Sequence, residues 1–378
     1  MMPDSDLEFV SLTGDILAYI LRCPASGSEA LFDDAFTRLA IRLFHFQHAR
    51  VAPYRLFCES RKLNPSSVAR WQDIPALPVT AFKQQDVTSL TPERRSRVFH
   101  SSGTTARAFS RHYHDADSLG LYEASLLPWF QAQLLPEGAA SAECFHLLAL
   151  TPRGVLAPNS SLVHMFETVA RAFPWASRFF GAGLDDRQNW SLDLPVILRK
   201  LEAVSREGLP MLLLGTAFSF VHLLDFLEEQ KLRLHLPQGS RALETGGYKG
   251  KSREMPKQEL HDWMCRRLGL AQNQIVSEYG MNELSSQAYD LVAGTRETGF
   301  TERRFQFPFW VRARIISPET GREAEPRQPG LVAILDLANV RSCLAIQTED
   351  LGIADSAGLQ IQGRARLAEP RGCSLMPA

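Results

Sequence analysis

The 378-residue sequence lacks the features that mark several large classes of protein. Its six cysteines include no Cys-x-x-Cys pair and no histidine at metal-ligand spacing, which argues against a zinc site. Asp4, Asp6 and Glu8 lie where a signal peptide carries positive charge, and no apolar segment follows them. A formal net charge of −1 does not suggest the strongly basic face of a nucleic-acid-binding protein. We therefore expect a cytoplasmic protein with reduced thiols.

Long apolar runs are also missing, apart from one stretch. Residues 209–224 contain no acidic or basic side chain except a histidine, but a membrane span needs about 20 apolar residues. Gly215-Thr216 also interrupts this stretch. We predict a buried strand over 211–214 and an amphipathic helix over 216–231, and no membrane span.

Short apolar runs alternate with amphipathic segments between residues 96 and 300, which is typical of an α/β domain with a largely parallel sheet. We predict strands over 98–99, 145–150, 211–214, 242–245 and 274–277, with helices over 114–131, 161–172, 192–207, 216–231 and 256–268. Further strands are predicted over 309–316, 331–337 and 344–347. The sequence thus divides into a helical region at 1–95 packed on the core, an α/β core at 96–300 and a β-rich subdomain at 301–378. The proline-punctuated segment 74–79 is expected to cross a surface in extended form.

A loop rich in hydroxyl groups follows the first predicted strand, with the sequence Ser101-Ser102-Gly103-Thr104-Thr105. Glycine permits positive φ and close backbone approach, so successive N–H groups can turn inward and hold an anion. No Gly-Lys-Ser/Thr follows, so the loop is not a Walker P-loop. We interpret it as a phosphate-binding loop, and the alternative for this motif alone is a solvated turn.

A second motif, Ser277-Glu278-Tyr279-Gly280-Met281-Asn282-Glu283, follows a predicted strand. Its aromatic ring suits stacking on a base, its glycine allows close backbone approach, and Glu283 suits Mg²⁺ held on phosphates. The alternative is a turn with a buried tyrosine and a helix-capping Asn282.

Three further motifs complete the set. Glu244-Thr245-Gly246-Gly247-Tyr248-Lys249-Gly250 provides adjacent glycines for backbone lying against a ligand, and Lys249 to neutralise a carboxylate or an α-phosphate, with a flexible turn as the alternative. Gln347-Thr348-Glu349-Asp350-Leu351-Gly352 provides Asp350 as a candidate ligand of ribose hydroxyls, with a hairpin turn as the alternative. Gly363-Arg364 would bring a cation near the nucleotide.

Taken in order, these motifs resemble those of the adenylate-forming superfamily of acyl-CoA synthetases, firefly-type luciferases and peptide-synthetase adenylation domains. The resemblance is closer to the acyl-protein synthetases (long-chain-fatty-acid–protein ligases) of the bacterial bioluminescence fatty-acid reductase complex, and it runs from about residue 70 to the end. The strings that carry this narrower resemblance are Leu77-Pro78, Ser101 to Thr105, Ser110-Arg111-His112, Asn159-Ser160-Ser161-Leu162-Val163, Glu244 to Gly250, Tyr279 to Tyr289 and Arg371-Gly372-Cys373-Ser374-Leu375.

The resemblance implies an α/β fold, with a large adenylate-forming domain of layered, mostly parallel sheets and helices plus a β-rich C-terminal subdomain. It implies that ATP and Mg²⁺ activate a carboxylic acid, most typically a long-chain fatty acid, to an acyl-adenylate. The acyl group then passes to Cys373 and on to an acyl-reductase or acyl-carrier partner. The implied nucleotide-binding residues are Ser101, Ser102, Gly103, Thr104, Thr105, Gly246, Gly247, Tyr279, Gly280, Met281, Asn282 and Asp350. Glu283 would act on Mg²⁺, and Cys373, Lys249 and Arg364 are the candidate catalytic residues.

The sequence departs from the family pattern at three points. Ala106 replaces a glycine after the hydroxyl-rich loop, and Asn282 replaces a threonine. The sequence also ends 14 residues after Arg364, so we expect it to lack the usual small mobile C-terminal domain with its catalytic lysine. Lys249, another cation or a partner protein would then replace that lysine.

Several alternatives stay open. The adenylate could pass to coenzyme A or a carrier-protein thiol, or the protein could be a catalytically silent scaffold. Cys373 could be an inert thiol near the chain end, whereas the other five cysteines are interpreted as packing residues. The apolar segments 145–150 and 211–220 are candidates for an acyl tunnel, with ordinary core as the alternative.

Overall fold

The structure is a computed structural model that describes residues 4–22, 29–101, 109–186, 189–246, 255–295 and 299–365. The α-helices of this part are α1 (Asp4–Ile20), α2 (Glu29–Arg50), α3 (Ala52–Ser60), α4 (Ala81–Gln84), α5 (Ala116–Leu134), α6 (Ser161–Ala172), α7 (Leu194–Glu207), α8 (Ala217–Glu229) and α9 (Lys257–Leu268). The β-strands are β1 (Leu77–Pro78), β2 (Arg97–His100), β3 (Arg111–His114), β4 (His146–Ala149), β5 (Ser177–Phe180), β6 (Ala182–Leu184), β7 (Trp190–Leu192), β8 (Met211–Thr216), β9 (Arg241–Thr245), β10 (Ile275–Tyr279), β11 (Ala288–Tyr289), β12 (Val311–Ile316), β13 (Gly330–Asp336), β14 (Ala345–Asp355) and β15 (Gly358–Arg364).

Six strands form a sheet in the order β11-β10-β9-β8-β4-β5, which we call the parallel sheet because only β11 runs against its neighbour. Successive side chains of a strand point to opposite faces. Leu147 and Leu212 therefore share a core with α5 and α6, whereas Leu148 and Leu213 share one with α8 and α9. Helices on both faces of a parallel sheet confirm the predicted α/β fold. The segments 145–150 and 211–220 pack against these helices as ordinary core.

The other large sheet has the order β1-β14-β13-β12, with β15 also paired to β14, and we call it the antiparallel sheet. Its only parallel pair is β1 with β14. The N-terminal helices α1 to α3 pack on it, because Phe44 and Tyr54 belong to the same core cluster as Ile334 and Ile346. The first and last parts of the described chain thus share one hydrophobic core.

A buried ion pair connects the two halves of the molecule. Asp115 caps α5 by accepting a hydrogen bond from the Ser118 backbone N–H at 3.0 Å. The same carboxylate lies 2.6 Å from the Arg341 guanidinium, which comes from the loop between β13 and β14. Burial lowers the pKa of Arg341, and the Asp115 carboxylate opposes that shift only in part. The contact holds the N-terminus of α5, next to β3, against the antiparallel sheet.

Two sequence-based expectations about extended segments are wrong. Segment 74–79 is extended, but it does not cross a surface: Leu77 pairs with Ile346, and Ile74 and Leu77 are buried. The hairpin-turn alternative for 347–352 also fails, because these residues lie inside the long strand β14. In both cases the sheet partner, which is distant in sequence, decides the conformation. The domain division near residues 95 and 300 stays a prediction.

No helix among the described residues combines the length and the apolar character that a membrane span requires.

Candidate active site

The two large sheets meet where Tyr279 reaches Asp350. Tyr279 is the last residue of β10 in the parallel sheet, and Asp350 lies in the middle of β14 in the antiparallel sheet. The phenol of Tyr279 donates a hydrogen bond to Asp350 Oδ2 at 2.8 Å, across 71 positions of sequence. Burial, and then the neighbouring carboxylate, raise the pKa of Tyr279 well above its ordinary value, so the phenol stays protonated as the donor. We call the space around this contact the cleft.

Arg364 lies next to Asp350 because of the register between β14 and β15. It lies directly opposite Asp350 in the antiparallel pair of β14 and β15. Its Nε is 3.7 Å from Asp350 Oδ1, and its side chain is 81% exposed. An exposed ion pair of this length contributes little to stability, so the guanidinium is free to turn toward an anionic ligand.

The residue before Tyr279 on β10 is a buried acid, Glu278. Glu278 is 6% exposed and accepts a hydrogen bond from the Thr245 hydroxyl at the end of β9. Burial raises the pKa of Glu278 to about 7. A Cβ atom at Gly280 would collide with the Glu278 carboxyl group, so a larger residue there would require the Glu278 side chain to move.

Glu283 lies near Ser110, the residue that precedes β3. It is 5% exposed, and burial raises the pKa of Glu283 even though the Ser110 hydroxyl and the charges of Lys83 and Arg364 oppose the shift. Lys83, on α4, also lies 4.0 Å from Glu349. A buried acid whose charge is only partly compensated is suited to receive a cation.

Asn282 attaches the Tyr279 motif to β2 and β3, the strands that precede and follow the hydroxyl-rich loop in sequence. Its Nδ2 donates to the Phe99 carbonyl at 3.1 Å, and its own carbonyl contacts His112 Nδ1 at 3.0 Å. The base of the loop is closed by two hydrogen bonds between Ser101 and Ser110, each 3.1 Å long. Residues 281–287 contain no helix, so the helix-capping alternative for Asn282 is wrong.

The glycine-rich motif begins at the end of β9. Gly246 has a φ of +71°, and an added Cβ would meet no described atom within 4 Å, so glycine is required by the backbone angle alone. Glu244 is fully buried and lies 3.2 Å from Lys257 Nζ. Burial opposes ionisation of Glu244, but Lys257 and His261 outweigh it and lower the pKa.

Several predicted site residues lie outside the described residues, namely Ser102, Gly103, Thr104, Thr105, Gly247, Lys249 and Cys373. Among the described candidates, Asp350 contacts both Tyr279 and Arg364. Glu283 lies near Arg364 and Ser110, and Asn282 contacts β2 and β3. Met281 packs beside them against the core of the antiparallel sheet.

Sequence reasoning missed Lys83 and Ser110 as members of the site. Ser110 and its neighbours were noted only as a family string, and Lys83 follows Leu77-Pro78 by five positions without a motif of its own. The signal that identifies both is spatial: the two side chains approach Glu283. No spacing in the sequence could have revealed it.

The described cysteines differ in exposure. Cys58 and Cys343 are buried, and burial raises the pKa of Cys58 to about 11 and that of Cys343 to about 12. These two are packing residues, as predicted. Cys144 is exposed, so its interpretation as a packing residue is wrong. It lies at the end of a short 3₁₀ segment before β4.

Comparisons with known proteins identify the family and the fold. A family model described as "Acyl-protein synthetase, LuxE" matches residues 28–377. A "long-chain-fatty-acid–luciferin-component ligase" of Vibrio harveyi is 22% identical over 357 residues, covering 90% of this chain and 86% of the relative. A protein of the same name from Aliivibrio fischeri is 22% identical over 364 residues, covering 90% and 87%.

Solved structures with a similar fold include 2-hydroxyisobutyryl-CoA ligase. An open conformation of that enzyme in complex with 2-HIB-AMP and CoA has a TM-score of 0.63 and 13% identity, covering 91% of this chain and 80% of that chain. Its postadenylation state with 2-HIB-AMP has a TM-score of 0.62 and 14% identity, covering 91% and 72%. These likenesses establish the fold of an adenylate-forming ligase. Since the family model spans residues 28–377, the chain belongs to the acyl-protein synthetase family, a family of ATP-dependent, AMP-forming acid–thiol ligases.

Proposed function

We propose that this protein activates a long-chain fatty acid with ATP and Mg²⁺ and then carries the acyl group on its own Cys373. The substrate class follows the printed names of the two bacterial relatives. The observation that carries the proposal is the 2.8 Å hydrogen bond between Tyr279 and Asp350. It supports the proposal because it joins the ring proposed to stack on the base to the carboxylate proposed to bind ribose. The domain division at 1–95, 96–300 and 301–378 and the cytoplasmic location remain part of this proposal.

The first step joins the acid to the nucleotide. A carboxylate oxygen of the fatty acid attacks the α-phosphorus of ATP, the bond to the pyrophosphate oxygen breaks, and pyrophosphate leaves with the electron pair. Asp350 accepts hydrogen bonds from the ribose hydroxyls, and the Tyr279 ring lies against the base. Ser101, Ser102, Gly103, Thr104 and Thr105 hold the phosphates, and Lys249 and Arg364 neutralise charge as it develops on them. Gly246, Gly247, Gly280, Met281 and Asn282 shape the backbone and the wall around the nucleotide.

Glu283 fits a role in holding Mg²⁺. The ion prefers oxygen ligands and usually keeps several waters and phosphate oxygens in its shell. The described residues include no cluster of three metal-ligating side chains, so phosphate oxygens would complete the shell. The buried Glu283 carboxyl, whose pKa is raised in the protein alone, would gain a partner for its charge. Bound Mg²⁺ would supply neutralisation of phosphate charge.

The second step forms a thioester. The Cys373 thiolate attacks the acyl carbon, the bond to the phosphate oxygen breaks, and AMP leaves with the electron pair. The thiol proton is lost to solvent beforehand, and Arg371, two positions away, would favour the thiolate. An acyl-reductase or acyl-carrier partner would then receive the acyl group.

The test uses the full chain with ATP, Mg²⁺ and labelled myristate. We expect a protein-bound label that neutral hydroxylamine releases, and its loss in Cys373→Ser with pyrophosphate exchange unchanged. Cys144→Ser is the matched control, because Cys144 is exposed and its loss should leave the label intact. A thioester that persists in Cys373→Ser would overturn the assignment of that residue.

The acyl acceptor and the acid are tested in the same assay. Adding coenzyme A should not generate free acyl-CoA faster than the protein itself is labelled. Rapid acyl-CoA formation would favour transfer to coenzyme A. A series of carboxylic acids from two to sixteen carbons should give ATP–pyrophosphate exchange that rises with chain length. Absence of exchange with every acid would contradict the proposed activity as a whole.

A further inference from the structure

Helix α1 has two apolar faces, and only one of them is covered. Phe9, Leu12 and Ile16 form the inner face and are at most 2% exposed. On the opposite side, Leu7 is 55% exposed and Leu21, just past the helix end, is 62% exposed. Burying both sides of a helix requires a partner on the second side.

We call the set Leu7, Val10, Gly14, Leu17 and Leu21 the outer stripe. The members are spaced by three, four, three and four positions, which is the 3.5-residue repeat of a seam between two packed helices. Four of the eight large hydrophobic side chains that are exposed in the described chain belong to this stripe. Such concentration on one line marks an interaction surface, whereas scattered exposed residues do not.

Gly14 at the centre of the stripe supports close approach by another helix. Glycine in a helix interior lowers helix stability relative to alanine. A Cβ atom at Gly14 would meet no described atom within 4 Å, so no neighbour within the described chain requires glycine there. A second backbone crossing at this point would require it.

The charges of Glu8 and Asp15 point away from the outer stripe. Asp15 pairs with Arg42 at 2.6 Å, and Glu8 lies 3.7 Å from Arg50, both on α2. The stripe is flanked by small residues such as Ser11 and Ala18. Residues 4–20 contain acidic but no basic side chains, which disfavours an anionic membrane surface as the occupant, since membrane-surface helices are rich in Lys and Arg.

We propose that the outer stripe is a dimerisation surface that pairs with the same stripe of a second copy, antiparallel and crossing at Gly14. The stripe is nearly symmetric about that glycine: Leu7 and Leu21 lie seven positions to either side, and Val10 and Leu17 lie four before and three after. A two-fold axis at Gly14 places Leu7 against Leu21 of the partner subunit. Self-complementarity of this kind is what an isologous interface requires.

The dimer is expected to be weak. A helix of 17 residues is about 25 Å long, and one of its faces covers less than the roughly 800 Å² per subunit of a standard interface. We therefore expect a dissociation constant of about 1–100 μM. This inference is independent of the proposed reaction.

Sedimentation velocity of the full chain from 1 to 300 μM tests the surface. The expected result is a monomer–dimer equilibrium, which Leu17→Glu weakens by at least about 100-fold. Leu56→Glu is the matched control, because Leu56 is a 58% exposed leucine on the separate helix α3. A monomer at all concentrations overturns the proposal, as does a dimer that Leu17→Glu leaves intact. A stripe that binds only a different protein overturns it as well.

Disulfide trapping tests the orientation. Gly14→Cys should form a cross-linked dimer under mild oxidation, because the two copies meet at that residue. Leu7→Cys alone should not, but a mixture of Leu7→Cys and Leu21→Cys chains should cross-link. The unmodified chain measures the background from Cys144, which is exposed. Self-linkage of Leu7→Cys at the level of Gly14→Cys would indicate a parallel pair and overturn the antiparallel arrangement.

Discussion

The parallel and antiparallel sheets contribute to the cleft in different ways. The parallel sheet provides residues at the ends of its strands, with Gly246 after β9 and Tyr279 at the end of β10. The antiparallel sheet provides Asp350 from the middle of β14, held by its register with β15. The first arrangement depends on local turn chemistry, and the second depends on pairing between whole strands. A nucleotide bound between the sheets would therefore contact an adaptable wall, formed by the turns of the parallel sheet, and a fixed wall, formed by the paired strands of the antiparallel sheet.

Each sheet also holds a buried acid, and the two differ in hydrogen bonding. Glu278 in β10 accepts a hydrogen bond from the hydroxyl of Thr245. Asp336 in β13 accepts from the backbone N–H groups of Ser285 and Ala338 and from the Ser286 hydroxyl. Burial raises the pKa of Glu278 to about 7 and that of Asp336 to about 6. Since the ordinary values are 4.5 and 3.8, the two upward shifts are similar, and burial outweighs the hydrogen-bond donors at both sites.

The largest expected effect comes from removing the charge on the fixed wall. Asp350→Asn should reduce ATP–pyrophosphate exchange by roughly 100-fold or more, because hydrogen bonds to a charged group contribute about 1.5–3 kcal/mol each. Asp355→Asn is the control, since Asp355 lies on the same strand but pairs with Arg304 at 3.1 Å. Normal ATP–pyrophosphate exchange in Asp350→Asn would mean that this residue of the antiparallel sheet does not contribute to nucleotide binding.

The pH dependence of stability should differ between wild type and Glu278→Gln. Folding raises the pKa of Glu278 from 4.5 to about 7, so the folded state binds more protons than the unfolded state in this window. The free energy of unfolding should then fall as pH rises from 4.5 to 7, by about 3 kcal/mol from this group.

Urea unfolding at pH 5, 6, 7 and 8 measures this slope. Glu278→Gln should match wild type near pH 5 and become relatively more stable above pH 7. Glu229→Gln, at an exposed position on α8, should keep the wild-type slope. Equal slopes for wild type and Glu278→Gln would show that Glu278 is ionised in the folded protein at pH 5.

Two glycines, one in the antiparallel sheet and one at the end of a parallel-sheet strand, are needed for different reasons: close packing in the first case and backbone conformation in the second. At Gly352 an added Cβ would lie 2.9 Å from Val332 Cγ2 and 3.0 Å from the Gln360 carbonyl. Gly352→Ala should therefore cost about 1–3 kcal/mol of unfolding free energy and disturb the register beside Asp350. Gly246→Ala meets no such contact and should cost about 1 kcal/mol through its positive φ. Thermal unfolding of both variants measures the two losses of stability. A larger loss of stability for Gly246→Ala than for Gly352→Ala would contradict this prediction.

The smallest expected effect comes from removing the hydrogen bond between Tyr279 and Asp350, which joins the two sheets. Tyr279→Phe keeps the ring and removes the hydrogen bond to Asp350, which should raise the KM for ATP by about 10-fold. Tyr19→Phe also removes a tyrosine hydrogen bond, 2.9 Å to the Phe32 carbonyl. Since this bond joins α1 to α2 and involves no candidate site residue, the KM should stay unchanged. A Tyr279→Phe enzyme with wild-type KM would mean that the phenol does not orient Asp350 for the nucleotide.

The parallel sheet and its helices could be predicted from the sequence because their signals are local. The predicted helix over 161–172 and that over 256–268 correspond to α6 and α9 almost residue for residue. Apolar periodicity and caps determine such elements within a short window. The short strand β5 was missed, because its sequence Ser-Arg-Phe-Phe at 177–180 offers too few residues for any pattern.

The antiparallel part of the site was harder to predict. Asp350 was identified as a ligand, but its segment resembled a turn, because Asp and Gly favour turns when considered alone. Its position opposite Arg364 follows from the β14–β15 register, and that register includes an irregularity between Leu351 and Gly352. The burial of Leu77 beside Ile346 likewise depends on a strand about 270 positions away. Pairings at such distances are not encoded in any local pattern.

The central claim is that Tyr279 and Glu283 on one side and Asp350 on the other hold a single nucleotide. The most direct measurement is a crystal structure with a non-hydrolysable myristoyl-adenylate analogue. We predict ribose hydroxyls within about 2.6–3.0 Å of the Asp350 carboxylate and the adenine against the Tyr279 ring. An analogue bound at another surface, with the hydrogen bond between Tyr279 and Asp350 facing empty solvent, would contradict the account.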